Sequence, residues 1–281
     1  MTARAPTWAA FFSPSAYKHF MRCVEAELRA RGLEYELVDG GVALRDRQMV
    51  IGLSNLAQAC HASVPPKWPE LVRFLLDRVA ALSEDEAIVR ERLQGGEAAR
   101  VHLRVRLHAD DYLASVNRAE LIVQPVAPGL AACLAWDLPA SVTLVRRSEI
   151  DAWNLGDDAL SRQGLDNVRS HEPVARAVVA MAGGTPIAEL SGGSHYAATH
   201  ALWLHEHEGC AASDRLVVAV PNRHQVLFAR LGAGEPSAPV IAAMQPLVAR
   251  AFRNGPGSIC PDVFWWKPRQ AGAPSMWVRS D

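Results

Sequence analysis

Residues 121–135, LIVQPVAPGLAACLA, decide the fold class of this chain. Two apolar runs flank the pair Pro128 and Gly129, which is typical of a tight turn, so the stretch predicts a β-hairpin. Apolar runs on both sides of a turn are difficult to leave in water. We therefore expect four of their side chains in the core: Val123, Val126, Leu130 and Leu134.

Further strands are predicted on both sides of this hairpin. Residues 101–107 alternate strictly between apolar and polar, which is typical of a half-buried strand. Short strands are also expected at 35–38, 42–44, 49–53, 141–146, 216–220 and 225–229. Because hairpins dominate and strands do not alternate regularly with crossover helices, the sequence predicts an α+β fold with a mainly antiparallel sheet.

Helices are expected to pack on this sheet. Helical spacing of apolar residues predicts helices at 14–31, 69–82, 157–168 and 239–252, and a further helix capped by Ser54. Ser83 and the acidic residues after it predict a new helix start. The pair Gly95–Gly96 is the strongest internal boundary. The sequence therefore predicts two lobes, residues 1–95 and 96–281.

Composition excludes several classes of function. The 29 Lys and Arg balance the 30 Asp and Glu, so net charge gives no long-range attraction toward nucleic acid or an anionic membrane. The five cysteines are widely spaced and odd in number, which fits neither a disulfide framework nor a zinc motif. Pro6 and Pro14 interrupt the early apolar stretch before a signal-peptide core could form. We expect a cytoplasmic protein that binds neither nucleic acid nor membrane.

Several segments together resemble the YtpQ-like bacterial family, a family of unknown function. The most distinctive are PVAPGL within the hairpin and FRNGPGS near the C-terminus, and DRLVVAVPNRHQVLFARL and LRVRLHADDYLA add to the similarity. The resemblance spans most of the chain. It implies no reaction, cofactor or catalytic residue, because none is established for that family.

The densest cluster of histidine and glycine lies in residues 191–207. Ser194, His195 and His200 are the candidate ligand-binding residues of this cluster. If residues 196–207 formed one helix, His200 and His207 would lie about 10 Å apart along its axis, too far to share a metal ion. No metal site or cofactor is therefore predicted, and a solvated helix end is the alternative interpretation.

Two further features each have two interpretations. The run Ser191–Gly192–Gly193 could offer backbone amides to an anion, or it is a glycine turn with Ser194 as helix cap. A basic stripe alternates along the strand at 101–107 and consists of His102, Arg104, Arg106 and His108. Such a stripe binds an acidic partner or forms a solvent-exposed sheet face.

No local motif for nucleophilic catalysis is present, since G-x-S-x-G is absent and the side chains of neighbouring Cys60 and His61 normally diverge. The favoured function is a non-catalytic interaction or accessory protein with a protein partner. The alternative is an enzyme or small-ligand-binding protein whose site lies within residues 191–207.

Overall fold

The computed structural model describes residues 5–38, 40–45, 49–93, 96–138, 142–207, 215–232, 234–266 and 278–279. Contacts divide the chain into two compact units, Met1–Glu84 and Asp85–Asp281. Each unit has its own hydrophobic core. The division lies within a helix, whereas the boundary expected from the sequence was at Gly95, which lies outside the described residues.

The first unit combines helices with a three-stranded antiparallel meander. Its elements are a 3₁₀ turn at Thr7–Ala9, α1 (Pro14–Ala30), β1 (Tyr35–Val38), β2 (Gly41–Leu44), β3 (Met49–Gly52), α2 (Ser54–His61), a 3₁₀ turn at Pro65–Lys67 and most of α3 (Trp68–Leu93). Ser13 caps α1, because its side chain accepts a hydrogen bond from the Ala16 amide at 3.2 Å. The core contains Phe20, Leu28 and Trp68.

Two helix starts expected from the sequence are wrong. Ser54 is the first residue of α2 and not its cap, and the preceding Leu53 makes no side-chain capping bond. No new helix begins at Ser83, because α3 continues without interruption to Leu93. Glutamate is a good helix former in the interior of a helix, so a run of acidic residues does not by itself mark a helix start.

The second unit contains two further sheets. Its strands are β4 (Leu103–Ala109), β5 (Val123–Ala127), β6 (Leu130–Asp137), β7 (Val142–Leu144), β8 (Ala175–Ala182), β9 (Thr185–Ser191), β10 (Arg215–Asn222), β11 (Gln225–Leu231), β12 (Val263–Trp266) and β13 (Val278–Arg279). Its α-helices after α3 are α4 (Asp110–Ser115), α5 (Arg147–Ile150), α6 (Asp157–His171) and α7 (Ala238–Asn254). Four 3₁₀ segments are Gly96–His102, Arg118–Glu120, Asp151–Trp153 and Ala197–Glu206.

All pairings between strands are antiparallel, which confirms the expected α+β class. One sheet has the order β4-β6-β5, with β7 also pairing β6, and the larger sheet has the order β13-β12-β10-β11-β9-β8. The hairpin that was predicted from residues 121–135 is β5 and β6, and Gly129 adopts the left-handed conformation in its turn. Val126, Leu130 and Leu134 are buried as expected, whereas Val123 is only partly buried.

The central strands of the larger sheet are covered on both faces. Helix α7 packs Val240, Met244 and Val248 against one face. The opposite face shares a core with the 3₁₀ segment Ala197–Glu206 and with the smaller sheet. None of the described helices is long and apolar enough to cross a bilayer.

Sequence reasoning assigned no strands to residues 175–191, where the structure has the hairpin of β8 and β9. Gly183 and Gly184, both with positive φ, form its turn. Two glycines between apolar runs are a recognised hairpin signal, so this hairpin could have been predicted.

Candidate functional site

The histidine-rich segment is not the regular helix expected from the sequence. A 3₁₀ helix runs from Ala197 to Glu206, and Trp203 has non-helical angles, with φ −133° and ψ 39°. This kink changes which side chains meet. The rings of His200 and His207 approach until Nδ1 and Nε2 are 3.3 Å apart, so the expected separation along a helix axis is wrong.

His200 is a buried residue within this segment. Its Nε2 lies 2.8 Å from the backbone oxygen of Glu172, and its ring packs on Trp203. Burial lowers the pKa of His200, and the Glu172 backbone contact opposes that shift. These contacts are those of a packed, neutral imidazole.

His195 and Ser194 have different surroundings from His200. The His195 ring lies 5.6 Å from the ring of His224, centroid to centroid, in the turn between β10 and β11. The Ser194 hydroxyl accepts a hydrogen bond from the Tyr196 amide at 3.2 Å, which is a local turn contact. The described contacts do not join His195 to His200. The ligand-binding role of Ser194, His195 and His200 therefore stays a prediction.

An open cleft of about 440 Å³ lies beside the β10–β11 turn. Its lining consists of Glu189, Ser191, Gly192, Gly193, Asn222, His224, Gln225, Gly255 and Pro256. The Gly192 amide donates to the His224 carbonyl at 3.1 Å, so this amide is already used within the fold. The cleft thus includes Ser191–Gly193, which the sequence singled out, but neither His195 nor His200 lines it.

The turn at the cleft is fixed by the segment that carries the FRNGPGS motif. The buried Asn222 side chain donates to the Ala251 carbonyl at 3.2 Å and accepts from the His224 amide at 3.0 Å. The Arg223 amide donates to the Gly257 carbonyl at 3.1 Å. Gly257 has φ +70°, and a Cβ there would lie 2.6 Å from Cδ of Arg223. The motif therefore positions the turn residues.

The basic stripe on β4 is not a solvent-exposed face, so that interpretation is wrong. Arg104 is buried and pairs with Glu172 at 3.2 Å and with Asp137 at 3.5 Å. It also donates to the carbonyls of Val101 and Leu103. His102, at the end of the preceding 3₁₀ helix, lies with Nδ1 3.3 Å from the Asp137 backbone oxygen.

Another candidate surface is the outer edge of β8. In the part of the chain that the structure describes, β8 is paired only with β9. Val178 and Met181 on this edge strand are 58% and 61% exposed. Sequence reasoning missed this surface because it assigned no strand there.

Within the described residues, no group of three His, Cys, Asp or Glu side chains is placed to hold a metal ion. Comparison of the chain with protein-family models, curated proteins and solved structures gives no match. The resemblance to the YtpQ-like family therefore stays a prediction from the sequence.

Proposed function

We propose that this chain is a non-catalytic interaction protein that receives an extended segment of a partner protein on the outer edge of β8. The proposal includes a cytoplasmic location and membership of the YtpQ-like family, as expected from the sequence. The observation that carries it is an edge strand with exposed apolar side chains. An unpaired strand edge presents backbone N–H and C=O groups to which an added strand can bind.

The side chains of β8 support this choice of edge. Residues 177–182 carry no charge, and charged residues are the usual protection of an open edge. Val179 lies at a bulge between Val178 and Ala180, and Ala182 packs toward α7. The strand is therefore held in place on one side, while Val178, Val179 and Met181 are left in water. A partner strand with apolar side chains would cover them.

The first test is affinity purification of the full chain from its native host, followed by binding measurements with each purified, identified partner. The double variant Val178→Lys with Met181→Lys should weaken partner binding at least about tenfold, because charged side chains on an edge oppose strand addition. Amide exchange in β8 should also slow when the partner binds.

The matched control is Val101→Lys with Leu155→Lys, which places two charges on other exposed apolar residues of the same unit. This control should bind the partner as the unchanged chain does. Repeated recovery of the chain without a stoichiometric partner would contradict the proposal. Equal binding by the double variant would exclude β8 as the contact surface.

A further inference from the structure

Two basic residues of β4 have buried polar atoms without hydrogen bonds. Arg106 and His108 lie two positions apart and so share one face of the strand. His108 is 9% exposed, and its ring stacks on Tyr112 with centroids 4.9 Å apart. Neither Nε of Arg106 nor Nε2 of His108 has a hydrogen-bond partner among the described residues.

Buried polar atoms normally have partners, and a buried charge normally has a counter-charge. Arg104, on the same face of β4, follows this rule with two carboxylates and two carbonyls. For Arg106 no such carboxylate is present in the part of the chain that the structure describes. The difference between these two arginines indicates that the protein leaves Arg106 for an anion from solution.

A second element brings positive charge to the same place. Burial lowers the pKa of His108, and Arg106 and Arg223 lower it further. Burial and Arg223 lower the pKa of His224, hydrogen bonds to the backbone of Ser194 and Gly192 oppose that shift, and Arg106 lowers the pKa as well. The charged neighbours that shift both histidines are therefore guanidinium groups, contributed by β4 and by the β10–β11 turn. His224 also lines the cleft beside that turn.

The arrangement is built into the fold. The Ala198 amide donates to the Arg223 carbonyl at 3.1 Å, and the Arg223 amide donates to Gly257. Nε of Arg223 lies 3.0 Å from Nε2 of His224, so the two side chains of the turn are in contact. The backbone of the turn is thus fixed, and movement of side chains alone is needed to open the buried Nε of Arg106 and Nε2 of His108 to a ligand from the cleft.

We propose that Arg106, His108, Arg223 and His224 form a binding site for a phosphoryl group, either free phosphate or the phosphate of a small metabolite. Two guanidinium groups match the charge of about −2 that a phosphate monoester carries near neutral pH. Neutral His108 supplies the Nε2–H that has no partner among the described residues, whereas His224 accepts from Nε of Arg223 and so positions that guanidinium. Glu189 lines the cleft as well and repels an anion, so the phosphoryl group binds on the side of His224. This site is independent of the β8 surface.

The test uses the full chain in a phosphate-free buffer of constant chloride concentration. Titration calorimetry with inorganic phosphate and with glycerol 3-phosphate should give binding at one site per chain. The variants Arg106→Met and Arg223→Met should each weaken binding at least about tenfold, since each removes a charged hydrogen-bond donor. The control Arg162→Met removes an exposed arginine of α6 and should leave the affinity unchanged.

Denaturant unfolding without phosphate separates a ligand site from a structural role. Arg106→Met should keep or raise the unfolding midpoint, because it removes a buried charge that has no partner. If glycerol 3-phosphate binds more tightly than inorganic phosphate, the ligand is the phosphate of a small metabolite whose organic part occupies the cleft. If the two bind equally, the ligand is free phosphate. Both results support the phosphoryl site. Stabilisation by phosphate no greater than that by chloride would overturn it. Unchanged affinity of Arg106→Met would overturn it as well.

Discussion

The strands β4 and β8 are both edge strands of their sheets, and each departs in its own way from the usual distribution of polarity. β4 carries arginine and histidine on one face, and Arg104 and His108 on that face are buried. β8 carries valine and methionine, and Val178 and Met181 are exposed. A strand normally buries its apolar side chains and exposes its charges. Departures from this local rule are expected where a protein binds something.

The two edges also differ in how their backbone groups are used. The Asn167 side chain of α6 donates to the Leu103 carbonyl at 2.9 Å, and the Thr199 hydroxyl donates to the Val105 carbonyl at 2.9 Å. These side chains cap the outer edge of β4. No capping of this kind is found for β8 among the described residues. The difference supports the two proposals, in which β4 contributes side chains to a binding site and β8 offers its backbone to a partner.

The largest expected effect is a difference in stability between variants of Arg104 and Arg106, the two arginines of β4. Arg104→Met should lower the free energy of unfolding by about 3–5 kcal/mol, because the Glu172 carboxylate, whose side chain is only 12% exposed, is left without its partner. Arg106→Met should change it by less than about 1 kcal/mol in phosphate-free buffer, since no such pair is broken. Urea unfolding of both variants checks this contrast. Similar losses for both would mean that Arg106 has a structural counter-charge.

A smaller effect concerns the pH dependence of His108. Burial, with Arg106 and Arg223, lowers the pKa of His108 from 6.5 to about 3. Between these two pH values the unfolded chain binds a proton at this residue and the folded chain does not, so stability falls as pH drops below 6.5. From pH 7 to pH 5 this group alone should cost about 2 kcal/mol.

The measurement is the free energy of unfolding at several pH values for the unchanged chain and for His108→Gln. Glutamine is polar and of similar size, but it does not bind a proton in this pH range. The free energy of unfolding of the variant should therefore fall less toward pH 5. His200 and His224 titrate in both proteins and cancel in the comparison. Parallel pH curves for the two proteins would show that His108 has no lowered pKa.

Local pattern predicted β4 as a strand but not that its polar face is buried as well as its apolar face. Alternation in residues 101–107 correctly indicates a strand, because side chains on a strand point to opposite sides. It cannot say that Arg104 is buried, since the carboxylate that allows this, Glu172, follows 68 positions later in the chain. The approach of Arg223 to Arg106 depends on segments that are still farther apart in the chain. Such pairings are set by tertiary packing.

The histidine segment shows a second limit of local reasoning. The grouping of Ser194, His195 and His200 rests on their closeness in sequence, and the sequence predicts a regular helix for the residues that follow Ser194. A kink at Trp203 and a 3₁₀ geometry instead place His200 against His207. His224, which was not among the candidates, is the ring that packs against His195. The motifs VPNRH and RNGPGS were visible in the sequence, and their contact explains the position of His224.

The smallest expected effect tests whether the apolar side chains of β8 lie on a free surface. Val178→Lys should change the free energy of unfolding by no more than about 0.5 kcal/mol, because the lysine head stays in water while its stem covers the strand. The matched control in the same sheet is Val218→Lys in β10, at a fully buried position. There a charge must enter the core, so the chain should lose most of its stability. Chemical unfolding of both variants is the measurement. A loss above about 2 kcal/mol for Val178→Lys would mean that another part of this chain covers β8, and the strand could then not serve as a docking edge for a partner.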